Sequence, residues 1–147
     1  MAEPGRTDGA TGDGATAGST SGGPGRVLVA VYGVFALAAG ARAAVQLATR
    51  FDEAPVAYLL SALAAVVYVV ATVAFARGGR RTALVACTVE LAGVLVVGTL
   101  SLLDRAAFPD ETVWSAYGRG YLFIPLVLPV LGLLWLRRQV RARTAVR

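Results

Sequence analysis

The sequence predicts an all-α, polytopic membrane protein with four transmembrane helices and both termini cytoplasmic. Three observations carry that expectation: 56% apolar against 16% charged residues, a mean hydropathy of +0.65, and arginines clustered around four apolar runs. A soluble domain sits nearer about 45–50% apolar and about 25% charged. A soluble four-helix bundle would also spread polar residues over most of each helix surface, whereas residues 59–76 carry no charge.

Residues 1–25 are rich in Gly, Ser, Thr and Ala with scattered Glu3, Asp8 and Asp13. Such a segment buries too little apolar surface to offset chain entropy, so a disordered cytoplasmic tail is expected. No basic stretch followed by an apolar core begins near Met1, so no cleaved leader is expected. Residues 26–138 form the expected transmembrane domain, with spans at about 27–48, 56–76, 82–103 and 121–136. At 1.5 Å per residue the first three reach ~31–33 Å, enough for a hydrocarbon core of ~30 Å. The fourth reaches only ~24 Å and needs its 118–120 flank or a thinner bilayer. Residues 139–147 make a basic cytoplasmic tail.

Orientation follows from arginine placement in short loops. One side collects Arg6, Arg26, Arg77, Arg80, Arg81, Arg137, Arg138, Arg141, Arg143 and Arg147, and the other holds Arg50, Arg105 and Arg119 with Asp52, Glu53, Asp104, Asp110 and Glu111. Trp114 and Trp135 are expected at opposite interfaces of the last span. Pro125 and Pro129 each lack an N–H and are expected to kink that span. The long outer connection, residues 104–120, is expected to carry an interfacial helix.

Composition also excludes chemistry. The chain has no His, one Cys and one Met, which leaves no imidazole-ligated haem or zinc, no Ser-His or Cys-His nucleophile and no dithiol pair within one chain. No catalytic set, metal or cofactor is expected. All basic residues are Arg and flank apolar segments instead of sharing one face with aromatics, so no nucleic acid partner is expected.

Arg42 and Glu90 are the formal charges well inside apolar spans, where an unpaired charge costs at least about 2.5–3.5 kcal/mol. Counted from the cytoplasmic ends, Glu90 lies ~12 Å deep and Arg42 ~22 Å deep, so extended side chains could nearly meet. One reading is a buried ion pair or protonatable site in a transport path. The other has Arg42 snorkelling outward, towards headgroups or Asp52 and Glu53, while Glu90 stays protonated or caps a structural network. Tyr58, Ser61, Ala65, Tyr68 and Thr72 recur at intervals of three and four, a stripe expected to face protein, with Tyr68 at the depth of Glu90. Arg42, Gln46 and Thr49 share a face of the first span; Cys87, Glu90, Val97, Ser101 and Asp104 share one of the third. The candidate intramembrane polar site is therefore Arg42, Gln46, Tyr68 and Glu90, either packed and hydrogen-bonded or solvated. Small residues at Ala36, Gly40, Ala44 and Ala48 form a ridge that lets another helix approach. Trp114, Tyr117, Arg119 and Tyr121 form the candidate surface for an external partner.

The stretch 46–72 with its FDEAPVAYLLSALAAVVYVVAT segment, and the later VWSAYGRGYLFIPLVLPVLGLLWL, resemble a group of small actinobacterial integral membrane proteins of unassigned function. The resemblance covers most of the chain after the tail and implies a four-helix inner-membrane protein. A looser similarity to the four-helix DoxX-like proteins is one of size and topology. The functional expectation is a non-catalytic accessory or scaffold subunit of a cell-envelope or membrane assembly. It would sit in the plasma (inner) membrane, with the lipid bilayer as its surroundings and a homo-oligomer or larger membrane complex as its partner state. The alternative is a small oligomeric transporter or proton-coupled carrier using the Glu/Arg site. A lipid-acting enzyme built on Asp104, Asp110, Glu111, Arg119 and the tyrosines at the outer surface ranks last, since no spacing there specifies a reaction.

Overall fold

A computed structural model describes residues 23–145. Most of the 1–25 segment, and the last two residues of the basic tail, lie outside them. The described chain is all-α: α1 (Pro24–Thr49), α2 (Pro55–Arg77), α3 (Arg80–Leu103), a short 3-10 helix (Ser115–Tyr121) and α4 (Ile124–Thr144). By length and composition α1, α2 and α3 can each cross a membrane; a fourth crossing exists only if the 3-10 helix and α4 count as one span bent by 99°. The protein is thus a multi-pass membrane protein, and its outward surface matches: Val34, Leu37, Val66 and Leu103 are among many large apolar side chains facing out.

Local chemistry explains the boundaries. Pro24, Pro55 and Pro125 stand in the first turns of their helices, where a missing N–H is no loss. α2 stops at Gly78, whose φ of 69° is left-handed, and the Gly79 N–H reaches back to the Ala74 carbonyl at 2.8 Å. That two-glycine reversal starts α3 at once and makes α2 and α3 an antiparallel hairpin. α1 packs chiefly on α2, and α3 packs on α2 and α4; α1 meets α4 only slightly and leaves an open seam.

The fourth corner differs from the expected span at 121–136. α4 begins at Ile124, so only ~20 Å of it precedes the Arg137–Arg138 pair, too little for the bilayer. It then runs on through the expected basic tail to Thr144. Pro125 opens the helix and so breaks nothing; Pro129 alone lies inside it. The break comes earlier, where Ala116, Tyr117, Leu122 and Phe123 take left-handed φ values of 46°, 60°, 57° and 58°. Such backbone costs roughly 1–2 kcal/mol per non-glycine residue, so packing must hold it.

That packing comes from the 104–123 connection, which folds back into the bundle instead of lying at the interface. Trp114 is 1% exposed, and a Cβ at Gly93 of α3 would stand 2.6 Å from its ring. A Cβ at Gly98 would stand 2.5 Å from the Tyr117 ring and 2.8 Å from its backbone nitrogen. Gly93 lies ~15 Å from the end of α3, so the loop reaches nearly half-way along that helix. At the opposite end α4 takes over, with Gly132 pressed against Cys87 and Phe75.

Candidate functional site

Glu90 sits about ten residues, or ~15 Å, into α3 and is fully buried. An isolated carboxylate there would be costly, and the structure supplies one direct partner: the Tyr32 hydroxyl of α1 donates to Glu90 Oε2 at 2.7 Å. The Cys87 sulfur lies 3.4 Å from the same hydroxyl. Because the Tyr32 proton is committed to Glu90, the thiol is the donor in that second contact. α1 and α3 are diagonal in the bundle and share no close backbone approach, so Tyr32 reaches across the whole core. Glu90 Oε1 has no hydrogen-bond partner among the described residues.

Around this pair runs an aromatic column. Tyr32 stacks on Phe75 at 5.5 Å and leans on Tyr68 at 6.2 Å; Phe35 meets Tyr68 at 5.7 Å and Tyr121 at 6.0 Å. The Trp114 indole N–H donates to the Tyr68 hydroxyl at 3.1 Å. Tyr68, at the depth of Glu90, accepts from the re-entrant loop, and the hydroxyl that meets Glu90 is that of Tyr32. The α2 stripe faces protein as periodicity predicts: Tyr58, Ser61, Ala65 and Tyr68 are buried and Thr72 is half-buried.

Arg42 and Glu90 are not partners. The Arg42 guanidinium points to the loop, donating to the Tyr121 hydroxyl at 2.8 Å and to the Glu111 carbonyl at 3.0 Å. Gln46 lies one turn further out with its Oε1 buried and without a partner. The expected four-residue site thus divides. Arg42 belongs to a loop-anchoring set, Glu90 to the core pair with Tyr32, and Tyr68 links loop and core. Tyr58 completes the anchors by donating to Asp110 Oδ2 at 2.5 Å.

The expected partner surface divides too. Trp114 is buried, because its indole fills the space over Gly93 rather than anchoring at the interface. Tyr117 and Tyr121 are half-buried and hydrogen-bonded to Thr99 and Arg42. Arg119 alone of the four is exposed.

Tyr32 is the residue that sequence reasoning passed over. The signal was present as a lone tyrosine in the first half of an Ala- and Val-rich run, eight residues into its helix and so at nearly the depth of Glu90. Chemically, Glu90 can hold or release one proton at Oε1. No group of three His, Cys, Asp or Glu side chains able to hold a metal ion occurs among the described residues. Four cavities lie at the bundle ends, and none of these four is lined by Glu90, Tyr32 or Tyr68. The chain matches no protein-family model, no curated protein and no solved structure, so its function is argued from this geometry.

Proposed function

We propose that the chain is a non-catalytic protein of the plasma membrane, crossing it four times with both termini cytoplasmic, and serving as an accessory or scaffold subunit. The arginine skew supports the orientation. One observation carries the functional reading: Tyr32 is paired with Glu90, Trp114 with Tyr68 and Arg42 with Tyr121, which leaves only the buried Glu90 Oε1 and Gln46 Oε1 without a partner among the described residues. What the fold offers outward is an apolar flank, most of all on α1, where Leu37 is 77% exposed. On that helix a Cβ at Gly40 would meet nothing within 4 Å.

In-cell crosslinking followed by mild-detergent purification tests this. A reproducible protein partner, or a second copy, on the α1 flank is expected; recovery as a lone chain under every crosslinker would overturn it. A second reading, a proton-coupled carrier working as an oligomer, is favoured by the unpartnered Glu90 Oε1 alone. Under it Glu90→Gln abolishes coupled flux in proteoliposomes, whereas the accessory reading expects no flux to lose.

A further inference from the structure

The end of the bundle opposite the re-entrant loop carries a cavity of ≈ 630 Å³ that neither reading above uses. It lies on the seam where α1 and α4 barely touch, roofed by the Gly78–Gly79 reversal. Its charged lining is Arg26, Arg77, Arg80 and Arg143, and among the described residues no acidic one lines it. About one turn deeper the walls turn apolar, with Val29, Phe75 and Leu136, and Trp135 stands between the two zones. A smaller cavity of ≈ 240 Å³ shares Arg80, Gln139 and Arg143 and extends it.

Backbone electrostatics add to the side chains. α1 and α3 both begin at this end, each without a side-chain cap and without an acid in its first turn. Their free N–H groups and dipole ends add positive potential to the arginines they border. Four like-charged guanidinium groups around one recess repel one another, and an anion relieves that repulsion.

We propose that this cavity binds the phosphate headgroup of an anionic phospholipid from the adjoining leaflet, with acyl chain against the apolar wall of the α1–α4 seam. The phosphate fits the guanidinium forks and helix ends. The apolar lower wall and a volume well beyond a bare phosphate favour a lipid over the free ion. Basic recesses between transmembrane helices at the headgroup level take this kind of ligand. The proposal rests on the multi-pass fold and not on the accessory-subunit reading.

Trp135 provides the probe. The full chain in phosphatidylcholine vesicles is titrated with phosphatidylglycerol brominated on its acyl chains, and tryptophan quenching is compared with that from brominated phosphatidylcholine. Preferential quenching by the anionic lipid is expected, and Trp135→Phe removes that preference while Trp114 still reports folding. Arg80→Gln with Arg143→Gln weakens the preference about thirtyfold, Lys at both positions retains most of it, and Arg105→Gln with Arg119→Gln at the other end leaves it unchanged. Equal quenching by both lipids, or a preference that survives the Gln pair, overturns the proposal. Relief of quenching by inorganic phosphate at constant ionic strength assigns the recess to the free ion and overturns the lipid assignment.

Discussion

The two ends of the bundle solve the same shortage in different ways. α4 is too short to cross alone, so each end must complete the fourth corner. At the loop end a non-helical segment does so, wedging Trp114 over Gly93 and Tyr117 over Gly98 and tying itself down through Arg42, Tyr58 and Ser101. At the basic end α4 itself does so, close against Cys87 and Phe75 through Gly132, yet it leaves the seam with α1 open. The difference teaches where polar groups find partners. At the loop end Arg42, Tyr58, Tyr117 and Trp114 find partners within the chain, Gln46 Oε1 excepted; at the basic end four arginines border one recess.

That contrast can be broken most forcefully at the glycine docking points. Gly98→Ala places a methyl group 2.8 Å from backbone nitrogen, which cannot rotate away, so expulsion of the loop and loss of more than ~3 kcal/mol are expected. Unfolding in mixed detergent and SDS micelles measures it, and a near-neutral result would mean that the loop does not lie in the bundle. Gly40→Ala in α1, with open space around it, is the matched control and should cost nothing.

Trp114→Ala should cost about 3–5 kcal/mol, as expected for emptying a buried aromatic site. Trp114→Phe keeps most of the ring and loses the hydrogen bond to Tyr68, at about 1 kcal/mol. The gap between these two variants separates ring packing from the polar contact. Tyr32→Phe comes next at about 1–3 kcal/mol, because it leaves Glu90 Oε2 without its donor. Adding Glu90→Leu to the Tyr32→Phe variant should erase most of that penalty, whereas additive losses would show that the two side chains do not interact.

Smaller still is the coupling between Arg42 and Glu90. They share no hydrogen-bond partner, so a double-mutant cycle with Arg42→Met and Glu90→Gln should close to within about 0.5 kcal/mol. A larger coupling would restore the ion pair that helix depth alone suggested. The mildest change is at the basic end, where Arg80→Gln should alter stability by no more than about 0.5 kcal/mol in zwitterionic detergent.

Much of the fold was legible because a bilayer makes hydropathy and length nearly sufficient evidence for a helix. The α2 stripe of Tyr58, Ser61, Ala65 and Tyr68 was legible for a second reason: a helical period of 3.6 puts those positions on one face, and a tyrosine or serine has reason to turn from lipid. Partner choice was not legible. Depth counting set Arg42 towards Glu90, but it carries no information about azimuth, and Arg42 turns instead to Tyr121 and Glu111. The re-entrant loop escaped for a related cause. Trp and Tyr in an aperiodic segment look alike whether they anchor at an interface or fill a core, and the clue was two glycines, Gly93 and Gly98, on the preceding helix.

From its residues alone this chain settles that α1, α2 and α3 are apolar helices able to span, that the last apolar stretch ends at Arg137, and which face of α2 turns inward. These are local consequences of backbone hydrogen bonding and transfer free energy, which each segment obeys alone. Only tertiary structure decided that Tyr32 rather than Arg42 or Tyr68 meets Glu90, that Trp114 is buried, and that four arginines border one recess. Each of those depends on how helices rotate and lean against one another, and close packing selects among such arrangements collectively, through contacts between residues far apart in the chain.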